Sequence, residues 1–446
     1  MTLSSELITI RRLALPVVAT QLAAMMLGVV DTMMLGHYNT DALAASSIAR
    51  VWVFGTLIVA QGILLGLDPI ISQAHGKGET HGIGVSTQAG ILLALLLSVP
   101  LGFAWMFTES VLRWMGMDQG LCLLAGDYAI AQLPGLPFYL LFSVQRSWLQ
   151  GRGIMRPAMW TVIIANGFNA LANWALIFGH LGFEERGVLG AGYATAFTQI
   201  LCFVFLFFFI RRFDLQKDAW CAWSREALGE IRKILKLGIP IGMQFGFEVW
   251  AFQIATLMAA KLGTMELAGH AIAMNLASIT FMVPLGISIG ASTRVGNLIG
   301  ARKFHTAQVA TKAAMILGVS VMTVAALALS IGREWLPQLY NDAPGVLAAA
   351  AAILPIAAAF QLFDGLQVVA SGVLRGMGRT RVLALAHFVA FYFLGLPLAQ
   401  YLAFSKGWGL PGIWWGLCLG LGIAAVGLSL WVLRRGPASM ELEKLH

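Results

Sequence analysis

Three acidic residues, Asp31, Glu248 and Asp364, stand well inside long apolar segments of this chain. A charged side chain at the centre of a bilayer costs roughly 2.5–3.5 kcal/mol on insertion scales, and the groups that are kept there usually bind an ion or a substrate. Burial also disfavours the charged form of a carboxyl group. Such a group can therefore hold a proton, a sodium ion or a cationic ligand in turn. The predicted chemistry is the exchange of one positive species for another.

Asp31 has candidate partners in the segment NGFNALANWALIFG. Asn169 and Asn173 are four residues apart in that segment and share one face of a helix. Buried amides need hydrogen-bond partners, which a carboxyl group supplies. We therefore predict a cation or substrate site formed by Asp31, Asn169 and Asn173, with Tyr139 and Thr195 as further candidates. The alternative interpretation is structural, because polar side chains commonly hold membrane helices together.

Glu248 and Asp364 are expected at a similar depth on two different helices. Two neighbouring carboxylates can bind a sodium ion or share a proton, so we predict a second cation or substrate site there, able to hold Na⁺. No Lys or Arg is predicted at comparable depth, which favours cations over anions. The sequence contains no catalytic triad, metal motif or nucleotide-binding loop. No enzyme activity and no cofactor are therefore predicted.

The composition predicts an all-α integral membrane protein. Of the 446 residues, 59% are hydrophobic and only 11% are charged, which is too little charge to cover a soluble protein of this size. Apolar runs long enough to cross a bilayer recur along the whole chain. We predict twelve transmembrane helices at approximately 13–36, 46–74, 86–108, 122–146, 157–179, 188–210, 236–260, 267–296, 308–331, 346–372, 381–403 and 410–433.

The distribution of basic residues predicts the orientation. An even number of spans puts both termini on one side, and with both termini in the cytoplasm all but six of the 29 Lys and Arg residues fall on the cytoplasmic side. The net charge of +8 therefore reflects membrane topology and not a nucleic-acid partner. The predicted location is a bacterial inner membrane, with both termini cytoplasmic. The four cysteines show no metal or redox spacing, and no disulfide is predicted.

The two halves of the chain repeat each other. Setting Pro16 on Pro240 aligns Gly62 with Gly286 and brings several further glycines into register. Each half has six predicted spans, so the halves are parallel repeats, related by a pseudo-two-fold axis along the membrane normal. Two such bundles suggest alternating access by rocking, although the repeat does not exclude a pore.

The repeat predicts three parts of the chain. These are a six-helix bundle at 1–211, a cytoplasmic linker at 212–235 and a second six-helix bundle at 236–446. The stretch from Arg211 to Lys236 is the only long polar segment and contains the amphipathic run REALGEIRKILK. We interpret that run as a helix on the cytoplasmic surface.

The segments around the three acids resemble the multidrug and toxic compound extrusion (MATE) family, in its NorM-type branch. They are VVDTMMLGH around Asp31, PIGMQFGFEVWAF around Glu248 and FQLFDGLQVVASGVLRGMGRTR around Asp364. The resemblance covers essentially the whole chain, and the Asp364 segment is the most specific part. The pair of Glu248 and Asp364 favours the NorM branch over the DinF branch, which lacks that pair.

The resemblance implies a secondary active exporter that moves organic cations outward in exchange for inward H⁺ or Na⁺. It implies one cation site at Glu248 and Asp364 and another at Asp31 with Asn169 and Asn173. The implied partners are cationic, amphipathic small molecules and membrane lipids, and the chain is expected to act as a monomer.

One position departs from the family pattern. Members of this branch can have Tyr one helical turn before the Asp, and here that position is Phe360. The missing hydroxyl counts against full sodium coordination and favours protons as the coupling ion. Three alternatives remain open: a flippase for a lipid-linked sugar, which should carry Arg or Lys in its cavity, an integral-membrane enzyme, and a channel.

Overall fold

The computed structural model describes residues 2–217 and 219–442, and within these ranges the chain is helical with no strand. Long helices follow one another and correspond to the predicted spans in order. They are α1 (Leu3–Tyr38), α2 (Thr40–Lys77), α3 (Thr80–Met106), α4 (Gln119–Ala131 with Leu136–Gly151), α5 (Arg156–Phe178), α6 (Gly187–Arg212), α7 (Glu226–Leu262), α8 (Thr264–Gly300), α9 (Phe304–Ile331), α10 (Pro344–Gly376), α11 (Arg381–Ser405) and α12 (Gly409–Arg434). Short helices at Thr108–Trp114, Pro337–Leu339 and Ser439–Leu442 complete the described part.

The helices are long and apolar enough to confirm the prediction of an all-α membrane protein. In the described residues, ten helices can cross a membrane, and an eleventh span is possible if the two parts of α4, which meet at 52°, are counted as one. The remaining predicted span lies in α7, which has 37 residues. Gln244, Glu248 and Gln253 make its middle less apolar than the other spans. The polarity of this helix is the first sign that it carries a site.

The described chain forms two compact units, and the domain boundaries at 211 and 236 stay a prediction. Unit 1 comprises Met1–Val18 with Met243–His446, and unit 2 comprises Ala19–Gly242. The boundary between the units therefore falls within α1 and within α7. In each helix it lies two residues after a proline, Pro16 or Pro240, and a proline inside a helix removes one backbone hydrogen bond. The run REALGEIRKILK is not a separate surface helix in the structure, because α7 begins at Glu226 and continues without a break.

Equivalent contacts in the two units support the repeat. In unit 2, a Cβ added at Gly62 would lie 2.5 Å from the Cα of Gly242 on α7. In unit 1, a Cβ added at Gly286 would lie 2.4 Å from a side-chain carbon of Val18 on α1. Gly62 and Gly286 are repeat mates, and so are Val18 and Gly242. The sequence repeat thus corresponds to a repeated helix contact.

Gly238→Ala is expected to destabilise the protein, because a Cβ there would lie 2.0 Å from the backbone oxygen of Ile63. Overpacking of this kind costs roughly 1–3 kcal/mol. Gly229, on the same helix, is the matched control, since a Cβ there meets nothing within 4 Å. Gly229→Ala should be neutral or stabilise by up to about 1 kcal/mol through helix propensity. Thermal unfolding in detergent measures both, and equal melting temperatures for the two variants would contradict this packing.

Candidate cation-binding sites

The Asp31 carboxylate lies in unit 2 and is held by hydrogen bonds from two other helices. Its side chain is 5% exposed. Asn173 Nδ2 on α5 donates to Oδ1 at 2.5 Å, and Thr195 Oγ1 on α6 donates to Oδ2 at 3.3 Å. Two predicted partners of Asp31 therefore contact it directly.

The amides continue as a chain behind Asn173. Asn173 Nδ2 also donates to Asn169 Oδ1 at 3.1 Å, and Asn169 Nδ2 donates to Thr198 Oγ1 at 3.2 Å. Asn169 thus supports Asn173 and does not itself hydrogen-bond the carboxylate of Asp31. Thr198 was not predicted, although its spacing of three from Thr195 places both hydroxyls on one face of α6.

A basic side chain stands beside Asp31, contrary to the prediction. Arg50 on α2 is half-buried, and its Nη1 donates to the Gly28 backbone oxygen and to Thr32 Oγ1, each at 3.1 Å. The positive charge of Arg50 is attracted to Asp31. The buried Tyr128 also interacts with Arg50. The sequence placed Arg50 at the outer end of its span, but α2 begins at Thr40 and brings Arg50 level with Asp31.

Tyr139 lies elsewhere in unit 2. Its hydroxyl donates to Gln61 Oε1 at 3.1 Å. No contact of Tyr139 with Asp31 occurs among the hydrogen bonds of the described residues. The structure therefore gathers Asp31, Asn169, Asn173 and Thr195 and leaves Tyr139 apart.

The second pair of carboxyl groups comes together in unit 1. Asp364 on α10 is 5% exposed, and the side chain of Glu248 on α7 is 12% exposed. The two are close enough for their negative charges to repel each other. Two like charges held together in a poorly solvated place favour the uptake of a positive species.

A histidine that the sequence analysis missed stands next to this pair. His387 on α11 is fully buried, and its Nε2 lies 3.8 Å from Glu248 Oε2. Its Nδ1 lies 2.8 Å from the Leu383 backbone oxygen, which can only accept, so Nδ1 carries the proton of the neutral ring. The lone pair of Nε2 then accepts from the amide of Gln367 and, at 3.5 Å, from that of Gln244. Nε2 is the nitrogen that can take up a further proton beside Glu248.

Amide oxygens add to the polarity of the site. The Oε1 atoms of Gln244, Gln361 and Gln367 are buried and have no hydrogen-bond partner among the described residues. The amide of Gln361 donates to Thr280 Oγ1 at 2.8 Å and to the Ala277 backbone oxygen at 3.2 Å, which orients its oxygen. Such buried oxygens can accept a hydrogen bond or ligate a cation.

A second basic side chain, Arg375, also contradicts the prediction that no Lys or Arg lies at the depth of the acids. The sequence placed Arg375 in a cytoplasmic loop, but α10 continues to Gly376 and the residue is 3% exposed. Its Nη2 donates to Ser288 Oγ at 2.8 Å, its guanidinium lies 5.5 Å from the ring centre of Phe245, and its charge is attracted to Glu248. Each unit therefore pairs its acidic site with one arginine.

Aromatic rings pack together one helical turn from Asp364. Phe360 is 3% exposed and packs against Phe252 and Trp414, with ring centres 5.9 and 6.0 Å apart. Phe360 thus presents an apolar face one turn from Asp364, in the place where the family pattern allows a hydroxyl.

The fold and these sites describe a many-spanning helical membrane protein with two internal acidic sites. A sequence profile of the MatE family matches residues 16–175 and 240–401, once in each half of the chain. The two matches begin at Pro16 and Pro240, as the internal repeat requires. The chain belongs to the MatE family of membrane transporters, which confirms the predicted family; the NorM-type branch stays a prediction.

Solved structures agree in fold. The chain is similar to the eukaryotic MATE transporter AtDTX14, with 24% identity, full coverage of both chains and a TM-score of 0.91. It is similar to a MATE in complex with MaD3S, with 21% identity, 98% and 97% coverage and a TM-score of 0.87. A MOP superfamily transporter from Pyrococcus furiosus matches at 20% identity over 98% and 97% of the chains, with a TM-score of 0.86. These similarities establish the fold of twelve helices in two bundles.

Proposed function

We propose that this chain is a secondary active multidrug exporter that antiports organic cations outward against an inward flow of H⁺ or Na⁺ by alternating access. We further propose that it lies in a bacterial inner membrane with both termini cytoplasmic. The observation that supports this proposal most is the pairing of Glu248 and Asp364, two nearly buried carboxyl groups on different helices of one unit.

The pair supplies the physical basis for exchange. Because the two carboxylates, when both are ionised, repel each other, the site is most stable when a positive species neutralises one of them. A coupling ion and an organic cation compete for the same negative charge, so binding of one releases the other. Asp31 offers a second acidic group in unit 2, where Asn173 and Thr195 orient its oxygens.

Two observations bear on the coupling ion and favour different candidates. His387 Nε2, 3.8 Å from Glu248, favours the proton as the coupling ion. A proton bound by either His387 or Glu248 can be shared between these two side chains. The unpartnered amide oxygens of Gln244, Gln361 and Gln367 favour sodium, because hard cations prefer oxygen ligands. Phe360 adds no oxygen, so we propose the proton as the first candidate.

The proposed substrates are cationic, amphipathic small molecules. A positive charge on the substrate complements the paired carboxyl groups of Glu248 and Asp364. A flippase for a lipid-linked precursor would need unpaired basic groups to bind a pyrophosphate. Arg50 and Arg375 are each attracted to a neighbouring carboxylate instead. This pairing supports the cation exporter over the flippase.

Efflux from proteoliposomes tests the proposal. The full chain is reconstituted with ethidium inside, and efflux is followed under an imposed pH gradient or an imposed sodium gradient at clamped membrane potential. Efflux driven by the pH gradient is the expected result. His387→Leu should reduce this efflux, because the variant has no imidazole beside Glu248 to accept a proton. Efflux driven by sodium alone would assign the amide oxygens the coupling role. Indifference to both gradients would remove antiport altogether.

A further inference from the structure

A cavity in unit 2 lies away from both acidic sites. Its volume is about 240 Å³, and its walls come from α3, the second part of α4, α6 and the segment that follows α6. Most of the lining is aliphatic or aromatic, including Ile91, Val144 and Phe203. The proposed transport chemistry does not use this cavity.

The segment after α6 forms one end of the cavity and is fixed in place. Arg152 Nη1 donates to the Leu215 backbone oxygen at 2.8 Å. The amide of Gln88 donates to the backbone oxygens of Cys221 and Ala222, each at 3.0 Å, and the Ser224 backbone N–H donates to Gln88 Oε1 at 3.1 Å. These bonds hold Gln216 and Trp220 at the cavity. The cavity is therefore a built feature of the unit.

Polar groups gather at this end and several have no partner. Trp148 is 3% exposed, and its indole N–H donates to no atom of the described residues. Gln145 Oε1 and Gln216 Oε1 are also buried without a partner there. The exposed guanidinium of Arg211 lines the same end and lies 5.4 Å from the ring centre of Phe207. The cavity thus presents a positive charge and unpartnered hydrogen-bonding groups at one end and apolar walls beyond.

The length of the apolar part matches one leaflet of a bilayer. Leu95 lies eight residues along α3 from Thr87, and Phe203 lies eight residues along α6 from Arg211; all four line the cavity. At about 1.5 Å per residue, either stretch spans roughly 12 Å. The hydrocarbon core of one leaflet is about 15 Å thick, half of a core of about 30 Å. Leu95 is 44% exposed and Phe207 46% exposed, so the cavity opens sideways along the helices.

We propose that this cavity binds an anionic phospholipid, with one acyl chain along the apolar walls and the phosphate at Arg211 and the indole N–H of Trp148, while hydroxyl groups of the headgroup donate to Oε1 of Gln145 and Gln216. An anionic headgroup complements the charge of Arg211, which would repel the organic cations of the proposed transport. In the proposed orientation, Arg211 lies at the cytoplasmic leaflet, where anionic lipids attract basic residues. Lipid binding at this site does not require transport activity, so its test is independent of the efflux experiment that tests the proposed function.

Native mass spectrometry of the purified full chain tests the site with dioleoylphosphatidylglycerol and dioleoylphosphatidylcholine as probes. We expect tighter binding of the anionic lipid. Arg211→Gln should weaken that binding roughly fivefold, which is the effect of one basic residue near an anionic surface. Arg212→Gln is the matched control, because Arg212 is adjacent in sequence and exposed but does not line the cavity.

A second pair of variants tests the acyl-chain part. Leu95→Trp should block the cavity and weaken both lipids, whereas Leu96→Trp, at an exposed neighbour that does not line the cavity, should weaken neither. Unchanged melting temperatures establish that the variants fold. If Arg211→Gln and Arg212→Gln lowered the affinity for the anionic lipid equally, the attraction would be a general property of the basic surface, and the proposed site would be wrong. Displacement of the lipid by ethidium would assign the cavity to the transported cation instead.

Discussion

Asp364→Asn is expected to reduce ethidium efflux to the level of empty liposomes while leaving the protein folded. The amide cannot ionise, so Glu248 loses the like charge that drives uptake of a positive species. The loss of one charged ligand corresponds to roughly 1.5–3 kcal/mol, or about 10–100-fold in affinity for the bound cation. Glu248→Gln should have the same effect for the same reason. Efflux under an imposed pH gradient measures both.

The thermal stability of these variants separates a transport role from a structural role. If Glu248 and Asp364 served only as helix contacts, neutral amides would lower the melting temperature together with transport. Because the ionised pair is repulsive, we expect the melting temperature of Asp364→Asn to stay equal or to rise, so this variant separates the two roles. Glu248→Gln should lower the melting temperature, because the buried Arg375 loses the charge that attracts it. Asp342→Asn is the control, since Asp342 is exposed in the same unit just before α10. Undiminished efflux by Asp364→Asn would end the carboxylate-exchange mechanism.

The helices were predictable because lipid imposes a length and a composition on every span. Each predicted span corresponds to a helix of the structure, although α1 and α7 begin well before the predicted limits. Hydropathy measures the thickness of the hydrocarbon core, whereas a helix continues into water wherever its backbone bonds remain satisfied. For this reason the sequence predicts a separate surface helix at REALGEIRKILK, whereas in the structure this run is the first part of α7.

The acidic residues of the sites were predictable because an intramembrane carboxylate is expensive and therefore conspicuous. Asn173 could be assigned to Asp31 because it shares a helical face with Asn169 in a strongly apolar segment. Thr195 was only a further candidate, and its contact with Asp31 depends on how α6 packs against α1. That packing is a tertiary property that no local pattern encodes.

The basic partners were missed for a related reason. Arg375 looked like a loop residue because the apolar run ends before it, yet α10 continues and buries it. His387 stands in the apolar run ALAHFVAF, where a single histidine is most often structural. Its position beside Glu248 follows from the packing of α11 against α7. Wider helical turns of the π type follow directly at Val389–Gly395, a feature often found near functional sites.

The two arginines change the physical picture of the sites. Without them, each site would be purely negative, and the strength of cation binding would depend on burial alone. Arg50 and Arg375 offset part of that charge. A site that is partly neutralised binds a cation less tightly, which permits release, and an exporter needs release as much as binding. Unit 2 offers the simplest test of this idea, because Asp31 is its only predicted acid.

Asp31→Asn is expected to reduce ethidium efflux strongly and also to lower the melting temperature. The amide still accepts from Asn173 through its oxygen, but Arg50 loses the charge that attracts it. Breaking a fully buried ion pair costs roughly 3–5 kcal/mol, and the cost here should be smaller because Arg50 is only half-buried. Asp41→Asn, at an exposed acid of the same unit, should change neither property.

The double variant Asp31→Asn with Arg50→Gln distinguishes stability from transport. Removing both charges leaves no uncompensated arginine, so the melting temperature should return towards that of the unmodified protein. Efflux should remain low, because the group that exchanges positive species is still absent. Recovery of efflux in the double variant would show that Asp31 serves only to neutralise Arg50. In that case Glu248 and Asp364 in unit 1 would carry the exchange alone.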